Sequence, residues 1–182
     1  MRKIREKFIE ECYEMAIKLK ENFRITEDKE WDESTILLEL GVQIGHIFDI
    51  KCDDNNLKEK MRNINDLGDE ISDVLLQIMY LGYLKEVNFK EKIDFEYDNI
   101  DGIIVLYGQI VETVMEENSY RFNKKRIGFE TRLDFIRNRI QRMYLLVINY
   151  ARANKIDIIT EFKKMEKDAK GFLKEYEKKH KM

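Results

Sequence analysis

Apolar residues recur every three or four positions along nearly the whole chain, the period of an α-helix with one buried stripe. Ile4, Phe8, Cys12, Met15 and Leu19 share one side of a helix predicted over about 2–23. Asp32-Glu33-Ser34 reads as a helix start, with acids placed against the positive end of the helix dipole. The helix it opens carries Ile36, Leu40, Ile44 and Ile47 and runs to about Ile50. Asp53-Asp54-Asn55-Asn56 signals a loop, with a short helical turn expected at 57–61. A third helix is predicted over about 66–86 on Leu67, Ile71, Val74, Ile78 and Leu81. The polar stretch 88–99 reads as a connector. Further helices are expected over about 101–117, 130–153 and 157–179, the last carrying Ile158, Phe162, Met165, Ala169 and Phe172. No segment calls for a sheet. The expected fold is all-α, a bundle of five or six helices forming one domain over 1–182.

Composition sharpens that expectation. Proline is absent and there are only eight glycines; a proline inside a helix costs about 3 kcal/mol, so its absence suits long uninterrupted helices. Lys and Arg number 33 against 36 Asp and Glu, a net charge of -3. Proteins that hold a nucleic acid polymer show a basic excess, because phosphate neutralisation drives their affinity, and none is expected as partner here. No apolar run approaches the ~20 residues that a bilayer demands, and the charged N-terminus lacks a signal-peptide core, so a cytoplasmic protein is expected. Cys12 and Cys52 have neither CxxC spacing nor neighbouring histidines and read as ordinary thiols.

The third helix carries a second stripe beside its apolar one. Asp66, Glu70, Asp73 and Gln77 fall at i, i+4, i+7 and i+11, along one line of the helix. The second helix offers a matching line in Glu39, Gln43 and His46. Packing the two apolar faces together brings the polar lines near each other. Converging carboxylates repel unless a positive charge lies between them, and a hard divalent cation such as magnesium prefers oxygen ligands. Helical bundles supply such ligands from facing helices at three- and four-residue spacing. The plainer reading is a solvated acidic edge, since 38% of the residues are charged.

The pairing of Glu39-Leu-Gly-Val-Gln43-Ile-Gly-His46 with Asp69-Glu70-Ile-Ser-Asp73-Val-Leu-Leu resembles the MazG-like nucleotide pyrophosphohydrolases, the all-α superfamily that includes the dimeric dUTPases. That family's signature is Glu-Glu-x-x-Glu on one helix and Glu-x-x-Asp on the next, binding magnesium. Glu70-Ile-Ser-Asp73 matches the second half. The first half is degenerate: with Gln43 at the last glutamate, Glu39 takes the first and Leu40 replaces the second. In the other register Glu39 stands second and Val42 last. The resemblance implies a MazG-like core and magnesium-dependent hydrolysis of a nucleoside triphosphate to monophosphate and pyrophosphate. It implies Glu39, Gln43, Glu70 and Asp73 as the metal set, Glu39 and Glu70 as catalytic carboxylates, and Asp66, Asp69 and His46 behind them. The missing acid opens the alternative of a non-catalytic helical binding or assembly module that kept the fold. Family members build sites between subunits or duplicated halves, so a homodimer and an internal pseudo-dimer both fit.

The chain carries signs of such a duplication. Leu40-Gly41-Val42-Gln43-Ile44 and Tyr107-Gly108-Gln109-Ile110 share a Gln-Ile pair, and 74–89 can be laid over 143–158. The halves would be 32–93 and 101–178, with Arg139 and Arg142 standing where the first has Glu70 and Asp73. Guanidinium groups bind phosphate oxygens rather than magnesium. Trp31 suits a core anchor and also a stacking platform for a base. Arg121, Lys124, Lys125 and Arg126 suit a solvated loop and also a triphosphate contact.

Overall fold

The computed structural model describes residues 2–23, 31–52, 62–89, 99–118 and 132–180. Among them lie six α-helices, with no strand: α1 (Arg2–Phe23), α2 (Glu33–Lys51), α3 (Leu67–Leu84), α4 (Gly102–Glu117), α5 (Arg132–Ala153) and α6 (Ile158–His180). The protein is an all-α helical bundle, as the periodicity predicts. None of these helices is long and apolar enough to cross a membrane. The basic cluster at 121–126 and the turn expected at 57–61 fall outside the described residues.

α2 begins where the acids predict. Asp32 is its N-cap, accepting hydrogen bonds from the Thr35 backbone N–H at 2.8 Å and the Thr35 hydroxyl at 2.9 Å. α3 begins one residue later than expected, after a 3-10 turn at Ile64–Asp66. The reason is a reciprocal cap: the Asn63 side chain accepts from the Asn65 N–H, and Asp66 accepts from the Asn63 N–H at 2.8 Å.

α2, α3, α5 and α4 form a four-membered ring of neighbours, and α1 and α6 lean on the outside of α3. α3 therefore touches α1, α2, α5 and α6, and 12 of its 18 residues are buried, far more than one stripe. At its far end Arg137 of α5 donates to the Lys85 carbonyl at 2.7 Å and to the Glu86 carboxylate at 2.9 Å. Lys20 of α1, itself buried, sits 3.1 Å from the centroid of the Trp31 ring and ties α1 to the segment leading into α2. One face of Trp31 is thus covered, and the ring packs against the core as an anchor does.

The two hairpins α2–α3 and α4–α5 repeat each other in detail. Adding 66 to the buried residues Ile36, Leu37, Leu40, Ile44, Ile47 and Ile50 of α2 lands each time on a buried residue of α4, from Gly102 to Glu116. A shift of 69 carries ten of the twelve buried residues of α3 onto buried residues of α5; Glu70 and Leu81 land on Arg139 and Tyr150, which are half-buried. The helix ends match too. Glu86 and Lys155, 69 apart, are the non-glycine residues at positive φ, 53° and 58°, among the described residues. Each closes its helix with the same pair of bonds: Val87 N–H to Gly82 and Glu86 N–H to Tyr83 in one, Ile156 N–H to Ala151 and Lys155 N–H to Arg152 in the other. Equivalent positions meet where α2 crosses α4: a methyl added at Gly41 would lie 2.5 Å from the hydroxyl of Tyr107, 66 residues on, and that hydroxyl donates to the Leu37 carbonyl at 3.0 Å. A position touching its own equivalent marks a local pseudo-twofold axis.

A side chain other than glycine is strained in the left-handed region. Lys155 is exposed there, so Lys155→Gly is expected to stabilise the fold by about 1 kcal/mol. Urea unfolding checks this, and a destabilised variant would contradict the assignment of that helix end.

Candidate functional site

The α2–α3 contact brings the two polar lines together. Glu39, Gln43 and His46 succeed one another along α2, and the Gln43 side-chain amide donates to Glu39 Oε1 at 2.8 Å. That donation turns Gln43 Oε1 toward His46, whose Nδ1 lies 2.9 Å from it. The same Nδ1 lies 2.9 Å from Glu70 Oε2 on α3. With two acceptor oxygens before it, Nδ1 carries the proton and donates to both; the network assigns this tautomer. Glu39, Gln43, His46 and Glu70 thus form one hydrogen-bonded row across two helices.

Glu70 is the buried member of the row, 6% exposed. A buried carboxylate must find partners, because desolvating an uncompensated charge costs several kcal/mol. Its second oxygen is held by the Arg62 guanidinium, whose own backbone N–H is fixed by Asp49 Oδ2 at 3.0 Å. Arg62 is the residue that the sequence reading misses. It lies beyond a loop with no periodicity, and the one signal that could have led to it is the need of a buried Glu70 for a cation.

Asp73 stands one turn further along α3, half-buried. Burial first, then the charges of Asp69, Glu70 and Glu39, push its carboxyl up to about 7, with partial relief from Arg62. The remaining residues singled out at α3, Asp66 and Gln77 of the line and Asp69 beside it, go elsewhere. Asp66 is spent on the cap of the 3-10 turn. Asp69 is exposed and faces Lys164 of α6 at 3.8 Å. Gln77 is buried in the bundle, and its Oε1 has no hydrogen-bond partner among the described residues.

Among the described residues no three ligand side chains stand arranged to hold a metal ion as they are. The donor set nonetheless suits a hard cation by its chemistry: Glu39, Glu70, Asp73 and the Gln43 amide carbonyl offer oxygen ligands, and burial first, then the neighbouring acids, raise the proton affinity of Asp73. A cation entering there would take the place of Arg62 or His46 on Glu70.

In the second hairpin the equivalent of Glu70 is Arg139. It donates to Gln109 Oε1 at 3.0 Å, and its guanidinium carbon lies 3.6 Å from the centroid of the Phe135 ring. Gln109 is the counterpart of Gln43, but it meets the polar residue of the following helix directly, whereas Gln43 is joined to Glu70 through His46. Compared with known proteins, the chain matches no family model, no curated protein and no solved structure.

The raised Asp73 carboxyl has a consequence for stability. Between its ordinary value of 3.8 and about 7 the folded chain holds a proton there that the unfolded chain has released. Stability contributed by this proton is full at low pH and is lost as pH rises through about 7. Asp73→Asn keeps the volume and removes the charge. It is expected to leave stability unchanged near pH 4 and to raise it by roughly 1–3 kcal/mol at pH 8. Urea unfolding of both proteins across that range is the measurement, and a difference independent of pH would contradict the assignment.

Proposed function

We propose that the α2–α3 row is the site of a magnesium-dependent nucleoside triphosphate pyrophosphohydrolase, which releases a nucleoside monophosphate and pyrophosphate. The observation that carries this reading is the convergence of Glu39, Gln43 and His46 with Glu70 in one direct row, with Asp73 a turn away. It is the arrangement that a MazG-like reading of the sequence expects of these residues. Glu39, Gln43, Glu70 and Asp73 would hold the cation. When bound, magnesium offsets charge developing on the phosphoryl oxygens. His46 holds Glu70 in position through its Nδ1 proton. In the reaction a water oxygen bonds to the α-phosphorus, the bond to the bridging oxygen breaks, and pyrophosphate leaves. The proton released by the water goes to a carboxylate of the row, for which Glu39 is the partly exposed candidate.

A second reading has its own observation. Both oxygens of Glu70 are already satisfied by Arg62 and His46, and an apolar residue stands at one acid position of the first motif. A protein that balances its acids with its own cations fits a non-catalytic helical binding or assembly module.

Pyrophosphate release from a panel of nucleoside triphosphates, with and without magnesium, separates the two. The enzyme reading expects magnesium-dependent release, lowered on the order of 100-fold by Glu70→Gln and by Asp73→Asn, with the helical circular dichroism signal intact. No release from any member of the panel would leave the binding-module reading.

A further inference from the structure

α2 and α4 meet at Gly41 and Tyr107, and the outer surface on either side of that crossing differs from the rest of the protein. Before its final residue, the solvent-exposed positions of α2 are Ser34, Leu38, Val42 and Gly45. Those of α4 before Glu117 are Ile104, Val105 and Gly108. None is charged, in a chain in which 38% of residues are. The apolar members are not marginally exposed: Leu38 is 71%, Val42 51%, Ile104 49% and Val105 47% open. A helix facing water normally puts its charges on that side, as α6 does with lysines and glutamates along its exposed positions.

The patch is also laid out in pairs. Leu38 and Ile104 are 66 residues apart, as are Val42 and Gly108, the shift that relates α2 to α4 throughout their buried positions. Each pair stands at the same offset from the Gly41–Tyr107 crossing, three residues before it and one after. At these two pairs the surface is near-twofold about the local axis; Val105 falls instead opposite the half-buried Glu39, at the edge of the patch. Space for a methyl is open at both Gly45 and Gly108, so the face carries bulky Val42 on one helix and an open position at the equivalent point on the other.

We infer that this α2/α4 face is the docking surface for a second copy of this chain. An uncharged surface calls for an uncharged partner surface, since any charge laid on it would lose its water with no counter-charge. A near-twofold patch meets that requirement with itself: a second copy placed face to face sets α2 on the partner's α4, with Val42 over the open position at Gly108. Isologous pairing of this kind closes at a dimer. The cation and substrate chemistry of the α2–α3 row plays no part in the inference.

Sedimentation of the full chain over a range of micromolar concentrations tests it. The wild type is expected to sediment as a dimer. The double variant Leu38→Lys, Ile104→Lys is expected to sediment as a monomer with an unchanged helical circular dichroism spectrum, its association weakened at least about tenfold. Phe172→Lys, at an exposed apolar residue of α6, is expected to remain dimeric. Should the double variant lose its helical signal, Val105→Lys alone carries the same expectation. A wild type that stays monomeric, with this face bare or covered by another part of the chain, overturns the inference. So does a dimer that survives the α2/α4 substitutions or falls apart with Phe172→Lys.

Discussion

Burial of α3 on four sides is the constraint from which the rest of the architecture follows. A helix touched by α1, α2, α5 and α6 has almost no solvent face. Its apolar residues supply the centre of the core, among them Ile71, Val74, Leu75, Ile78, Met79 and Leu81, all 1% exposed or less. Its polar residues have to be satisfied from neighbouring elements. Glu70 is the sharpest instance. Its carboxylate draws His46 from α2 and Arg62 from the segment before the 3-10 turn, so one buried charge couples three parts of the chain. Removing either partner would leave a buried charge half-satisfied, which costs more than the surface pairs elsewhere contribute.

The helices were legible in the sequence because the chain has no proline to interrupt them and because its apolar period is regular. α1 runs over the residues that the pattern predicts, and Asp32 caps α2. The start of α3 was less legible. Asp66 fits the acidic line of the helix by spacing, yet the reciprocal cap with Asn63 claims it first. Helical spacing placed Glu39, Gln43 and His46 on one line of α2 facing that of Glu70 on α3. On spacing these lines read most plainly as an acidic edge; their reading as a site came from the family resemblance. Arg62 was not legible, because a loop has no period from which to infer where its side chains fall.

The outer face of α2 shows a different limit. Ile36, Leu37, Leu38, Leu40, Val42 and Ile44 are apolar on nearly every side of the helix, so periodicity alone does not say which of them face the core. In the fold Leu37 and Leu40 turn inward while Leu38 and Val42 stay outside. That choice is made by α3 and α4, which approach from the other side. Val42 also occupies the last acid position in one of the two registers of the first motif. In that register an acid is replaced by a residue that faces away from the core, on the uncharged surface.

Comparison of the two hairpins bears on the role of Gln43. Its counterpart Gln109 accepts from Arg139, while Gln43 accepts from His46 and donates to Glu39. An amide can do both because it carries a donor and an acceptor at once, so the same residue serves a cationic partner in one hairpin and a histidine–carboxylate pair in the other. In neither does it need a metal to be satisfied. Gln43 thus acts as a linker that fixes the histidine tautomer and points Glu39, and any cation held in the first hairpin depends chiefly on the three carboxylates. Of these, Glu70 is already neutralised by protein groups and Asp73 is not. The fold raises the proton affinity of Asp73, by burial first and then by the charges of Asp69, Glu70 and Glu39, so it is the acid that a cation placed there would relieve most directly.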